Sequence, residues 1–216
     1  PCNPTGASYS RKELEDIVRV VKKRDILVIS DEVYDELTYD FDHTPLSSFK
    51  GMKDRVIYLN GFSKAYAMTG FRLGYACGPK EIIAAMTKIH QYTIMSAPTT
   101  AQIAAIEALA NGETHVQAMV AEYDRRRRLI VDGLNTLGLD CFEPRGAFYA
   151  FPSIAKSGLD DNAFAEALLT EEEVACVPGN AFGDSGAGFV RMCYATSYEK
   201  IEEALNRMES FMRRHG

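Results

Sequence analysis

Residues 56–64 read Val56-Ile57-Tyr58-Leu59-Asn60-Gly61-Phe62-Ser63-Lys64, an apolar, β-rich stretch that ends in a lysine. The glycine-punctuated segment 65–74 follows and contains Arg72. In open α/β sheets the ligand lies at the carboxyl ends of the strands, which is where this pattern puts Lys64. Lysine is also the side chain that forms Schiff bases with carbonyl compounds. The stretch therefore predicts an α/β fold with a candidate functional lysine at one edge of its sheet.

A second apolar stretch, residues 26–30, leads into a carboxylate and a phenol, Asp31 and Tyr34. Two strands that both end in polar, chemically active side chains are typical of a site at one edge of a parallel sheet. Together the two stretches suggest an anion-binding site with lysine-based carbonyl chemistry.

The remaining pattern predicts an α/β part followed by a smaller α+β part. Ser10 and Glu13 have the spacing of a capping box, and strands then alternate with helices, which favours a mostly parallel sheet. Apolar spacing between residues 116 and 137 predicts one helix of more than twenty residues that ends at Gly138. Strands near 146–151, 174–177 and 189–195, a helix near 161–172 and a last helix capped by Thr196 complete the prediction. The expected division is 1–113 and 114–216.

Composition restricts the possible partners. The 216 residues are 46% hydrophobic and 25% charged, with a net charge of −6, so a general binder of nucleic acid or anionic membrane is not expected. The basic run 125–128 is predicted to be a solvated helix face. No apolar run is long enough to span a bilayer and no signal peptide is visible, so we expect a soluble, cytoplasmic protein.

Cysteine and histidine spacing does not predict a metal site. The five cysteines share no metal or redox spacing, and we expect small buried thiols in a reducing compartment. The four histidines are scattered along the chain. The opening residues 1–6 read as a loop between elements, so we expect the chain to be part of a longer protein.

Several motifs, in order and with matching spacing, resemble the fold-type I aminotransferases of the aspartate and aromatic group. These motifs are Asn3-Pro4-Thr5-Gly6, Asp31-Glu32-Val33-Tyr34, Ser63-Lys64, Gly70-Phe71-Arg72-Leu73-Gly74 and Arg191. The resemblance runs from Pro1 to the C-terminal helix. It implies the second half of a mostly parallel, three-layer large domain that binds pyridoxal 5′-phosphate, followed by a small C-terminal α+β domain.

The resemblance also implies a role for each matching residue that would contact the cofactor. Lys64 would hold pyridoxal phosphate covalently and then move the α-proton of the substrate. Asp31 would pair with the protonated ring nitrogen. Tyr34 and Asn3 would hydrogen-bond the phenolic oxygen of the cofactor. Ser63 and Arg72 would bind the phosphate, for which a guanidinium offers bidentate geometry; both residues are therefore cofactor-binding candidates.

Arg191 is expected to bind the α-carboxylate of the substrate, because the family uses the matching arginine in that way. The loop 177–183 is expected to line the substrate pocket, whereas 144–149 is expected to be structural. The implied reaction is transamination between an α-amino acid and a 2-oxo acid, and the implied assembly is a homodimer.

Three alternatives remain open from the sequence. A pyridoxal-phosphate-dependent C–S β-lyase of the same fold would use the same lysine, aspartate and arginine. An aminotransferase-like sensor domain of a transcription regulator would carry a winged-helix segment upstream. The chain by itself could also be an inert part of an enzyme, since the glycine- and serine-rich phosphate-binding turn of the family has no counterpart here.

Overall fold

The computed structural model describes all residues, 1–216, and divides into two compact units. The first unit comprises Pro1 and Tyr9–Val120, and the second comprises Cys2–Ser8 and Ala121–Gly216. No helix combines the length and the apolar character that a membrane crossing requires.

The first unit contains three strands and three complete helices. Its elements are α1 (Arg11–Lys22), β1 (Val28–Asp31), β2 (Val56–Gly61), β3 (Gly74–Cys77), α2 (Lys80–Thr93) and α3 (Thr99–Asn111). Helix α4 (Glu113–Thr136) begins in the first unit and continues into the second, and its 24 residues confirm the single long helix expected from the apolar spacing.

Helix α1 begins with the predicted capping box. The Ser10 hydroxyl accepts a hydrogen bond from the Glu13 amide, and the Glu13 carboxylate accepts one from the Ser10 amide at 2.7 Å. The helix buries Val18 and Val21 in a cluster that also contains Val56 of β2. This packing fixes the strand that leads to Lys64.

The sheet of the first unit has the order β1-β2-β3, with one parallel and one antiparallel pair. Strand β1 runs parallel to β2, with Asp31 opposite Leu59, and β3 runs antiparallel to β2. The ends of β1 and β2 and the beginning of β3 therefore share one edge. Gly74 permits the close approach there, because a Cβ at this position would lie 2.9 Å from the Asn60 carbonyl oxygen.

The second unit is a small antiparallel sheet with helices packed in a filled core. Its elements are β4 (Tyr149–Ala150), α5 (Asp161–Glu172), β5 (Val177–Pro178), β6 (Val190–Cys193) and α6 (Tyr198–His215), and the strand order is β4-β6-β5. Phe164 of α5 and Phe211 of α6 are fully buried and meet edge to face at 5.2 Å.

The N-cap of the last helix lies one residue after the predicted position. The N-cap is Ser197, whose hydroxyl accepts a hydrogen bond from the Lys200 amide, and not Thr196. The helix begins at Tyr198, so Ser197 is the residue whose side chain can reach the free amides of the first turn.

The prediction of a solvated basic face was wrong for Arg127. This side chain is 2% exposed, donates to Asp124 Oδ1 and to Glu143 Oε1, and also donates to the Pro144 carbonyl at 3.1 Å. Arg125 and Arg128 are exposed as expected. A buried guanidinium is tolerated here because its donors are paired.

The prediction of buried thiols was correct for only part of the set. Burial raises the pKa of the Cys141 thiol to about 11 and that of Cys176 to about 12. Cys2, Cys77 and Cys193 are exposed, because they lie in a terminal loop and on the open faces of short strands.

Candidate active site

The first unit collects five of the predicted residues at the shared edge of its sheet. Asp31 is the last residue of β1, and its carboxylate accepts a hydrogen bond from the Val33 amide at 3.2 Å. This local bond turns the chain immediately after the strand. The Asp31 side chain is exposed at that edge.

Lys64 and Tyr34 are brought into contact by the turns that follow β1 and β2. The ammonium nitrogen of Lys64 lies 5.9 Å from the centroid of the Tyr34 ring, within the range of a cation–π interaction. Tyr34 is buried and Lys64 is half-buried. The fold therefore holds a primary amine beside a phenol, three residues beyond the end of β2.

Arg72 lies at the same edge, two residues before β3 begins. Its backbone is left-handed, with φ of +55°, and its guanidinium donates to the Thr69 carbonyl at 2.8 Å. A residue other than glycine adopts this conformation at a cost of about 1–3 kcal/mol, and such residues concentrate at functional sites. Ser63 is half-buried beside Lys64.

The two remaining predicted residues, Asn3 and Arg191, meet within the second unit. Arg191 Nη1 donates to Asn3 Oδ1 at 2.8 Å. The guanidinium carbon lies 4.6 Å from the centroid of the Tyr149 ring and 5.0 Å from that of Phe182. Arg191 Nε is buried without a hydrogen-bond partner. The two aromatic faces hold the guanidinium in place and leave hydrogen-bonding capacity for a ligand.

The loop that carries Asn3 is fixed by Gly6. This glycine has φ of +70°, and a Cβ there would lie 2.5 Å from the Pro144 Cβ. The Gly6 carbonyl accepts hydrogen bonds from the amides of Arg145 and Gly146. Residues 144–149 are thus structural, as expected, but their last residue also contacts Arg191.

Sequence reasoning passed over the aromatic partners of Arg191. Phe182 lies in the predicted pocket loop 177–183, so that loop does contact a candidate substrate-binding residue. Tyr149 is directly opposite Cys193 in the sheet, and Cys193 and Arg191 share one face of β6. An aromatic residue diagonal to an arginine on the neighbouring strand was the available signal.

A buried carboxylate next to Asp31 was also overlooked. Glu32 is buried and accepts a hydrogen bond from the Ser30 hydroxyl at 2.8 Å, and its other oxygen lies 2.6 Å from His43 Nε2. It anchors the chain immediately beyond β1. No sequence pattern predicts this contact, because His43 lies in a loop, and a loop has no periodicity from which its path could be inferred.

Comparison with known proteins identifies the family. The model of aminotransferase class I and II matches residues 1–208. The chain belongs to this family. Its members use pyridoxal phosphate as their cofactor, which confirms the resemblance seen in the motifs and the expected cofactor.

The individual relatives carry several substrate names. The YugH protein of Bacillus subtilis (strain 168) is 53% identical over 212 residues, which are 98% of this chain and 55% of the relative. An aspartate aminotransferase of Pyrococcus abyssi is 47% identical over 216 residues, covering 99% of this chain and 56% of the relative. The crystal structure of the aromatic aminotransferase of Pyrococcus horikoshii OT3 matches with a TM-score of 0.97 at 47% identity, covering 99% of this chain and 58% of that one.

The chain thus spans about half the length of the relatives that it matches. The high TM-score at full coverage of this chain shows that its fold is that of the corresponding half of an aminotransferase.

Proposed function

We propose that this chain is the lysine-bearing part of a pyridoxal-phosphate-dependent aminotransferase, which transfers an amino group between an α-amino acid and a 2-oxo acid. The observation that carries the proposal is the Lys64 amine held over the Tyr34 ring at the edge of the β1–β2 sheet. Family membership supports it independently.

The donor set at this edge fits pyridoxal phosphate. Lys64 offers an amine to the aldehyde of the cofactor. Asp31 offers a carboxylate to its ring nitrogen, and Tyr34 offers a hydroxyl to its phenolic oxygen. The exposed Arg72 guanidinium and the Ser63 hydroxyl offer phosphate ligands. The chemistry of this donor set supports the assignment.

Each residue is assigned a task that its surroundings support. Pyridoxal phosphate, when bound, supplies an electron sink that weakens the bonds at the substrate α-carbon. Lys64 carries the proton to and from that carbon as general base and acid. Asp31 would pair with the ring nitrogen of the bound cofactor and favour its protonated form by its opposite charge. The Asn3 carbonyl oxygen accepts from Arg191, and its amide nitrogen would be the group that donates to the phenolic oxygen, the role that the family resemblance implies.

Arg191 is assigned to the α-carboxylate of both substrates. Its guanidinium is stacked between Tyr149 and Phe182, and its Nε has no partner in the chain. A carboxylate would pair with that unsatisfied donor, and a bidentate pair would fix the substrate's orientation. The relatives' names include both aspartate and aromatic substrates, so the amino donor is left open.

The finer architecture is part of the same proposal. We assign residues 1–113 to a three-layer large domain and 114–216 to a connecting helix and a small C-terminal domain. We further propose a homodimer in the cytoplasm.

The test is to add pyridoxal phosphate, trap the adduct with borohydride and map it by mass spectrometry. We expect stoichiometric labelling at Lys64, its loss in Lys64→Ala, and no loss in the control Lys80→Ala, whose lysine is exposed at the start of α2. Equal labelling of scattered surface lysines in all three proteins would refute a cofactor site in this chain.

A second assay separates the reaction types. The protein that captures pyridoxal phosphate at Lys64 is incubated with an amino donor and a 2-oxo acid. Transamination should convert the donor to its 2-oxo acid and the acceptor to its amino acid. Release of pyruvate, ammonia and a thiol from a cysteine conjugate, without amino-group exchange, would instead support the C–S β-lyase.

A further inference from the structure

A hydrogen-bonded group next to the candidate site joins the segment that carries Tyr34 to the strand that leads to Lys64. Asp35 Oδ2 accepts hydrogen bonds from the Tyr58 hydroxyl and from Asn60 Nδ2, both at 2.7 Å. Asn60 Nδ2 also lies 2.5 Å from the Tyr58 hydroxyl oxygen. We call Asp35, Tyr58 and Asn60 the anchor group.

The Asp35 end of the anchor group is rigidly connected to Tyr34. The Asp35 amide donates to the Glu32 carbonyl, and the Leu37 amide donates to the Tyr34 carbonyl, both at 3.0 Å. Asp35 Oδ1 accepts from the Glu36 amide at 2.9 Å. Both carboxylate oxygens of Asp35 are therefore occupied, and the consecutive turns leave Tyr34 little freedom to move independently.

The other end of the anchor group is connected to Lys64 through β2. Asn60 precedes Lys64 by four residues, and its Oδ1 accepts from the Gly61 amide at 2.6 Å. Tyr58 and Asn60 are on one face of the strand, because side chains alternate along it. One carboxylate thus links the segment beyond β1 to the side chains of β2 through charge-assisted hydrogen bonds.

The protonation state of the group suits this role. Burial raises the pKa of Tyr58, and the Asp35 carboxylate raises it further, so the phenol keeps its proton and donates it. The Tyr75 ring packs against Tyr58 with centroids 6.1 Å apart, which restricts the phenol. A charged acceptor with two fixed donors gives a stronger link than neutral hydrogen bonds would.

We propose that the anchor group is a positioning network that fixes the Tyr34 ring relative to the Lys64 amine. Its functional consequence rests on the proposed function, whereas its geometric consequence does not. When the anchor is broken, the Tyr34 segment should move away from the ammonium, and Lys64 should become more accessible. Tyr34 should then donate less effectively to the cofactor's phenolic oxygen.

The experiment compares Asp35→Ala, Asp35→Asn and Tyr58→Phe with two controls, Asp54→Ala and Tyr92→Phe. Asp54 and Tyr92 are exposed residues of the same types. In the cofactor-free chain, we would measure reductive methylation of Lys64 relative to Lys80 by mass spectrometry, and amide hydrogen exchange over residues 32–37.

We expect graded results. Asp35→Ala should accelerate Lys64 methylation and exchange at residues 35 and 37 by about tenfold, which corresponds to the loss of roughly one charge-assisted hydrogen bond. Asp35→Asn keeps an acceptor for Tyr58 and should be intermediate. Tyr58→Phe removes one oxygen atom only and keeps the test valid if Asp35→Ala fails to fold. Both controls should match the parent chain.

The outcomes separate this inference from the proposed function. Faster exchange with unchanged Lys64 methylation would overturn it, because the group would then only stabilise a loop; unchanged values of both would overturn it as well. In protein loaded with pyridoxal phosphate, the pH midpoint of the visible absorption band should rise in the anchor variants and not in the controls. If no cofactor is captured at Lys64, the proposed function fails, and the methylation and exchange data still decide the positioning role.

Discussion

The two units bury their apolar residues to very different extents. In the second unit, α5 and α6 place Phe164, Leu168, Met208 and Phe211 in a core from which solvent is excluded. In the first unit, α2 has no buried residue, and α3 buries only Ala101 and Ala105. Most of the larger apolar side chains of these two helices are exposed, among them Ile89, Tyr92, Ile103, Ile106 and Leu109.

This difference shows that apolar composition and apolar burial are separate properties of a helix. In the second unit, the apolar faces of α5 and α6 are buried against other elements of the same unit. Helix α3 has a higher apolar content than α6, yet it buries only two alanines, whereas α6 buries four larger apolar side chains. Stability should therefore respond strongly to core changes in the second unit and weakly to changes on the exposed faces of the first.

The largest expected effect is that of Leu168→Ala. Leu168 is 0% exposed, so truncation should leave a cavity and lower the free energy of unfolding of the second unit by about 3–5 kcal/mol. The neighbouring Leu169→Ala is the control, because Leu169 is 53% exposed and should change stability by no more than about 0.5 kcal/mol. Urea unfolding monitored by hydrogen exchange in α5 and α6 measures the stability change of each variant. Equal losses in the two variants would contradict a filled core.

Arg127→Ala should have the next largest effect. It leaves Asp124 and the Pro144 carbonyl without their buried donor, at a cost of about 2–3 kcal/mol, since the Glu143 partner is exposed and can be solvated. Arg128→Ala removes an exposed ion pair and should cost about 0.5 kcal/mol or less. Similar losses in the two variants would mean that Arg127 is solvated after all.

Ile106→Ala tests the exposed face of α3. Ile106 is 65% exposed, so the free energy of unfolding of the first unit should change by no more than about 0.5 kcal/mol. Hydrogen exchange in α1 and β2 reports on this unit. A loss as large as that of Leu168→Ala would show that the α3 face is covered in solution, and the contrast between the units would disappear.

The smallest expected effect concerns Glu36 in the first unit. Burial, followed by the charges of Asp35 and Glu113, raises the pKa of Glu36 above its ordinary value of 4.5. The stabilisation from its tightly bound proton is complete below the unfolded-state pKa and is lost as the pH rises through the folded-state pKa.

Glu36→Gln should therefore stabilise the first unit at pH 7, by a few tenths of a kcal/mol because the group is partly solvated. At pH 3 the variant and parent should unfold alike, since Glu36 is then protonated in both states. Asp54→Asn provides the control, and thermal unfolding at the two pH values is the measurement. If the variant is less stable than the parent at pH 7, the predicted sign of the stability change is wrong.

Much of the fold could be read from local patterns. The capping box at Ser10, the long helix α4 and the helix Asp161–Glu172 were predicted correctly because each depends on residues a few positions apart. The buried Arg127 could not be predicted, since its partner Glu143 is contributed by a loop beyond the helix. The same reason explains the missed bonds of Glu32 and Asp35, whose partners come from other elements.

For the candidate site, the sequence by itself determined which chemical groups are present and the order in which they follow the strands. Motif spacing is sufficient for that, because the residue that ends a strand is placed by the strand. Only the tertiary structure decided that the Lys64 amine lies over the Tyr34 ring, that Arg191 is held between Tyr149 and Phe182, and that Asp35 links two strand ends. These contacts join residues distant in sequence, and their distances depend on strand register and packing, which no local pattern encodes.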